Sequence, residues 1–136
     1  MSPGRTRVGI DLVAVDAVAA SIRAFGERYL TRVYTERELH DCRLADERPD
    51  ASRLAARFAA KEAAMKVLRT ADEALPWRSL GIVRDGSGRP CLELDPVAQG
   101  VARRSGVEAI DVSLSHEGAY AVAVVVAHER AAAAAP

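Results

Sequence analysis

The sequence predicts an α+β fold: a mainly antiparallel β-sheet packed with one long and several short helices. Three observations carry that expectation. A β-branched apolar run opens the chain, an Ala-rich stretch of helical character fills its middle, and two alternating segments around a Gly close it. The first run, RVGIDLVAV (7–15), reads as a strand. A helix follows from about Asp16, with Val18, Ile22 and Phe25 on one face. Thr35 and Glu38 form a capping box that opens a helix from Glu36 to about Leu44. Pro49 and Asp50 start the long helix, which runs to Arg69 with Leu54, Phe58, Met65 and Leu68 facing inward. LGIV (80–83) and CLEL (91–94) flank the turn-rich DGSGRP and read as a β-hairpin. Asp95 and Pro96 are an N-cap and first-turn pair for a helix ending near Gly106. IDVSLSH (110–116) and AYAVAVVVA (119–127) are two further strands joined around Glu117 and Gly118. The apolar run of the last strand suggests burial on both faces, in the middle of a sheet.

Composition narrows the class. The length of 136 residues fits one domain, residues 1–128, followed by an Ala-rich tail (129–136) that reads as a frayed end. Nineteen basic and nineteen acidic residues cancel, which argues against a nucleic-acid or anionic-membrane partner. Cys42 and Cys91 lack metal-type spacing, so free thiols in a reducing cytoplasm are expected. Asp11 interrupts the N-terminal apolar residues, which do not form a leader, and no run approaches the roughly 20 apolar residues of a membrane span.

Four features are able to carry chemistry. Asp11 is an acid inside an apolar strand, a costly placement unless it is paired, hydrogen-bonded or on a metal; a strand-end cap is the plainer reading. In RFAAKEAAMK (57–66), Arg57 and Lys61 stand one turn apart, as do Glu62 and Lys66. The first pair repels and the second attracts, each by a few tenths of a kcal/mol. Seventeen of the nineteen basic residues are Arg, and the two lysines are Lys61 and Lys66. A basic stripe suits phosphates, whereas a solvated helix face is the alternative. In DVSLSHE (111–117), His116 leaves a strand where it could reach a ligand or serve as a structural hydrogen-bonder. Ser113 and Ser115 lack a G-x-S-x-G elbow, which discounts a hydrolase triad. In DGSGRP (85–90), two glycines suit either close backbone approach to an anion or a plain hairpin turn.

The order of these segments is more specific than any one of them. GIDLV, YLTRVYTERELHDC, RLAARFAAKEAAMKVL, VRDGSGRPCLEL and IDVSLSHEGAYAVAVVV together resemble the holo-acyl-carrier-protein synthase family of 4′-phosphopantetheinyl transferases, over about residues 8–127. The resemblance implies transfer of phosphopantetheine from coenzyme A to a serine of an apo acyl carrier protein, with 3′,5′-ADP as leaving group. It implies Mg²⁺ held by Asp11 and Glu62, in keeping with a hard cation that takes carboxylates, phosphates and water. It also implies Lys66 on the pyrophosphate or the serine proton, Arg57 with Arg48 on the 3′-phosphate, and Lys61 adjoining them. His116 would hydrogen-bond a phosphate, and Gly88, Arg89 and Pro90 would lie along the adenine. Relatives of this length are typically cytoplasmic homotrimers with active sites at subunit interfaces.

Two segments depart from the family pattern. Where an Arg commonly helps dock the acidic carrier, this chain has Asp16 and Ala17, leaving Arg23 or Arg28 as substitutes. LRTADEALPW replaces a Gly-rich turn after the long helix. The carrier is therefore left open between fatty-acid and polyketide types. The competing reading is a trimeric module that binds coenzyme A without turnover.

Overall fold

Alanine lets the central helix sit where it does. The structure, a computed structural model, describes residues 4–69 and 75–131. Its elements are β1 (Thr6–Ala14), α1 (Val15–Phe25), α2 (Glu27–Val33), α3 (Glu36–Asp41), α4 (Ala51–Leu68), a 3-10 turn (Trp77–Ser79), β2 (Leu80–Arg84), β3 (Pro90–Leu94), α5 (Pro96–Ser105), β4 (Val107–Glu117) and β5 (Tyr120–Glu129). The fold is α+β, as expected. β1, β5 and β4 form an antiparallel sheet in that order, and β2 and β3 form a separate hairpin.

α4 packs against β1, β4 and β5 and also touches α1, α5 and β2. Ala55, Ala56, Ala59, Ala60, Ala63 and Ala64 are all fully buried along it. These small side chains bring the helix backbone close to the sheet, and Gly9 of β1 completes the approach. A Cβ on Gly9 would lie 2.4 Å from the Ala63 carbonyl oxygen and 3.0 Å from Val67 Cγ1. The inward residues expected from spacing are only part of the contact. Leu54 and Leu68 are fully buried, while Phe58 and Met65 are partly buried at the margin, Phe58 against the Trp77 ring at 5.1 Å.

The caps follow the sequence closely. Thr35 Oγ1 accepts from the Glu38 amide and the Glu38 carboxylate accepts from the Thr35 amide, completing the capping box. Asp50 accepts from the Ser52 and Arg53 amides at the start of α4, and Asp95 accepts from the Ala98 amide at the start of α5. α3 ends at Asp41, short of Leu44, because the chain turns back there: the Asp50 amide donates to the Cys42 carbonyl and Arg43 bridges to Pro49. Phe25, expected on one face of α1 with Val18 and Ile22, is 59% exposed although Val18 is buried; it is the last residue of that helix, immediately before the positive-φ turn at Gly26. β5 is the central strand, but its inner residues Ala121, Ala123, Val125 and Ala127 are buried while the alternate valines are only half-buried. The TADEA segment (70–74), within the expected altered turn, and the end of the Ala-rich tail (132–136) lie outside the described residues.

Arg7 ties the far end together. It pairs with Glu129 at 2.8 Å, donates to the Val67 carbonyl and the Ser105 hydroxyl at 2.8 and 2.6 Å, and also donates to the Ser105 carbonyl. One guanidinium thus joins β1, β5 and the C-terminal turns of α4 and α5, where positive charge is favourable.

Gly9→Ala is expected to destabilise the fold by about 1–3 kcal/mol, the usual cost of overpacking, measured by urea unfolding. Arg7 holds the Glu129 carboxyl below its ordinary value of 4.5. A carboxylate lowered by folding adds stability above its unfolded pKa and loses it as pH falls through the folded value. Below pH 4.5 the wild-type chain is therefore expected to lose more stability with each step in pH than Glu129→Gln; identical acid slopes would refute the assignment.

Candidate active site

Alternation along β1 puts Asp11 on the same face as Gly9, toward α4. Because Gly9 brings the helix close, Asp11 reaches it as well. Lys66 Nζ lies 3.1 Å from Asp11 Oδ1 and donates to the Ile10 carbonyl at 2.8 Å. Glu62, one turn before Lys66, joins the same group. Burial raises its carboxyl above the ordinary value, the Asp11 charge and a hydrogen bond with Asp11 raise it further, and Lys66 opposes them. Two acids and one half-exposed ammonium thus meet at the junction of β1 and α4.

This donor set fits a hard divalent cation. No cluster of three or more His, Cys, Asp or Glu able to hold a metal occurs among the described residues; the carboxylates brought together at this junction are Asp11 and Glu62. Mg²⁺ is commonly bound by one or two carboxylates, with water and substrate phosphates completing its shell. Oxygen donors without sulfur or imidazole also argue against softer metals.

The other basic residues of α4 face a different environment. Arg57 is buried, its Nη1 donating to the Arg53 carbonyl at 3.5 Å while its Nε has no acceptor among the described residues. A buried donor without a partner is uncommon and leaves this guanidinium able to take a further acceptor. Lys61 departs from the expectation that it adjoins a coenzyme. Its ammonium is fully buried, paired with Glu38 at 2.7 Å, and donates to the carbonyls of Trp77 and Leu80. With its three donors engaged, it presents no free hydrogen to a ligand. Burial pulls its pKa down, Glu38 opposes that fall, and the charges of Arg78 and Arg57 add to it.

The remaining expected residues are more dispersed. Arg48 is on an exposed loop, paired with Asp46 at 2.6 Å. Gly88 has a φ of 85° in the β2–β3 turn, Arg89 lies 3.7 Å from Asp111, and Pro90 opens β3. The DGSGRP turn closes on itself: Asp85 accepts from the Ser87 and Arg89 amides, and the Gly88 amide donates to the Asp85 carbonyl. The hairpin reading therefore stands, and these amides do not form an anion cradle. His116 is exposed at the end of β4, opposite Ala121. β5 separates it from β1, a gap of two strand spacings, or roughly 10 Å.

Two features escaped sequence reading. Glu38 caps α3 and also neutralises Lys61; the signal was a lysine preferred over arginine in RFAAKEA. Phe25, Arg28, Tyr29 and Arg32 line an open groove across α1 and α2, foreshadowed by aromatics interleaved with arginine in FGERYLTR.

A family model for the 4′-phosphopantetheinyl transferase superfamily matches residues 7–125. The chain belongs to that superfamily. The holo-[acyl-carrier-protein] synthase of Moorella thermoacetica is 47% identical over 116 residues, 85% of this chain and 88% of the relative. That of Halothermothrix orenii is 35% identical over 122 residues, 90% and 96% of the respective chains. Among solved structures, a Chronobacterium ammoniagenes ACPS–CoA complex matches with a TM-score of 0.77 at 26% identity, covering 93% of this chain and 98% of that one.

Asp11→Asn is expected to bring the Glu62 carboxyl down toward its ordinary 4.5. A carbon-13 NMR titration of the glutamate carboxyls reads this directly, and an unmoved Glu62 would separate the two acids.

Proposed function

We propose that the chain transfers 4′-phosphopantetheine from coenzyme A to a serine of an apo acyl carrier protein and releases 3′,5′-ADP. The observation that carries this reading is the Asp11–Glu62–Lys66 group in a chain whose relatives include holo-[acyl-carrier-protein] synthases. One transferase unit over residues 1–128, acting in the cytoplasm, is part of the proposal. No helix among the described residues is long and apolar enough to cross a membrane.

Asp11 and Glu62 would hold Mg²⁺, whose chemistry at such a site is charge neutralisation on the pyrophosphate. Lys66 then acts as the phosphate clamp. Its ammonium already donates to two oxygens, and its side chain is 55% exposed, within reach of a substrate at the surface. As the serine oxygen bonds to the phosphorus of the pantetheine arm, the bond to 3′,5′-ADP breaks, the serine proton passes to solvent water, and Lys66 stabilises the charge that develops. Arg57, whose Nε has no partner among the described residues, supports recognition of the 3′-phosphate, joined by Arg48 from the exposed loop before α4. Gly88, Arg89 and Pro90 are proposed along the adenine and His116 on a phosphate.

The His116 assignment goes with a homotrimer whose sites are shared between subunits. Support comes from the outer face of the sheet. Val8, Ile10 and Leu12 are each more than half exposed on β1, opposite Val126, Val124 and Val122 of β5. An apolar sheet face of this kind suits an interface. The groove of Phe25, Arg28, Tyr29 and Arg32 suits an acidic carrier and offsets the absence of Arg at Ala17.

Mass spectrometry of apo carrier incubated with the chain, coenzyme A and Mg²⁺ tests the reaction. The expected result is the gain of one phosphopantetheinyl group, with Glu62→Ala slowed by roughly 100-fold or more, as when a direct transition-state stabiliser is lost. No gain on several carriers, with coenzyme A still bound, would instead describe a binding module. Replacing Arg28 and Arg32 together with Ala is expected to raise KM for the carrier severalfold while leaving KM for coenzyme A unchanged. The difference should shrink at high salt.

A further inference from the structure

Lys61 and Glu38 lie outside the group assigned to substrates, yet they form the most enclosed polar contact described here. The Lys61 ammonium has three hydrogens and three acceptors: Glu38 Oε1 at 2.7 Å, the Trp77 carbonyl at 3.2 Å and the Leu80 carbonyl. Glu38 is equally engaged. Its Oε1 also accepts from the Thr35 amide at 2.9 Å, and its Oε2 accepts from the Ile82 amide at 3.1 Å. Both side chains are fully buried. One point on α4 is therefore fastened to the start of α3, to the 3-10 turn and to β2.

Stability alone is a weak reason for such a pair, since apolar residues of similar volume often do as well or better. Geometry is a stronger one. The alanines along α4 make a smooth surface, with few large side chains interlocking to resist a roll of the helix about its axis. Successive residues on a helix diverge by about 100°. Fastening Lys61 toward β2 therefore turns Glu62, the next residue, toward β1 and Asp11. A planar guanidinium with five donors does not match three acceptors around one compact ammonium. That explains lysine here in a chain with arginine at seventeen of nineteen basic positions.

We propose that Lys61, clamped by Glu38, is a positioning residue that sets the rotation of α4 and so aims the Glu62 carboxylate at Asp11. This rests on the metal-dependent transferase reading, and the test keeps the two separable. Mn²⁺ binding to the protein without substrates is followed by electron paramagnetic resonance for wild type, Lys61→Met and Glu38→Gln, beside urea unfolding of each. Both variants are expected to fold with Mn²⁺ affinity lowered about tenfold or more, as when contacts supporting a metal ligand are lost. Their kcat for transfer should fall at limiting Mg²⁺ and recover in excess Mg²⁺, with KM for coenzyme A unchanged. Folded variants with wild-type Mn²⁺ affinity would overturn the proposal, whatever their stability, as would lost activity that excess Mg²⁺ does not restore. If Lys61→Met does not fold, the milder Glu38→Gln decides alone. Wild type that binds no Mn²⁺ even after coenzyme A is added removes the metal reading itself, and with it this proposal.

Discussion

The close contact between α4 and β1 is the constraint on which the rest depends. It requires Gly at position 9 and alanine along the facing helix, because any larger side chain there would meet the Ala63 carbonyl. The approach makes a short acid, Asp11, long enough to reach Lys66 across the interface. With a wider separation the same carboxylate would be stranded between apolar layers without a partner, at a cost of several kcal/mol. Packing and chemistry are thus two results of one distance.

The charges of α4 are intelligible once the helix is seen as facing two environments. Lys61 looks away from Asp11, into a region closed by Glu38 and the carbonyls of Trp77 and Leu80, while Arg57, one turn earlier, donates to the Arg53 carbonyl. Glu62 and Lys66 look toward β1. The repulsion expected between Arg57 and Lys61 is offset on one side by a buried carboxylate, while the attraction between Glu62 and Lys66 is shared with a second acid. Two lysines that look alike in sequence have opposite exposure.

Much of this organisation is legible in the chain because its signals are local. The Thr35–Glu38 capping box, the Asp50 and Asp95 caps and the strand alternation around Asp11 each depend on neighbours within a few residues. What local pattern cannot convey is the direction of a side chain after tertiary packing. Lys61 reads as a surface cation because its acceptors are 16 to 23 residues away in sequence, in segments that only the fold brings together. Phe25 follows the spacing of Val18 and Ile22 but lies where its helix ends, so periodicity assigns it to a core that does not extend that far. The glycines of DGSGRP suggest an anion cradle until Asp85 is seen to take the amides itself.

The pairing of β1 with β5 has a further consequence for how the protein is made. Partners such as Arg7 and Glu129 are 122 residues apart, and β5 is the sole strand neighbour of β1 among the described residues. β1 leaves the ribosome well before β5. Until β5 follows, the strand that carries Asp11 has no edge to join, and its apolar side chains wait uncovered. Closing so long a loop is also slow. The acidic group gains its support only once β5 has been made, so shortening β5 would remove the support of a residue more than a hundred positions earlier.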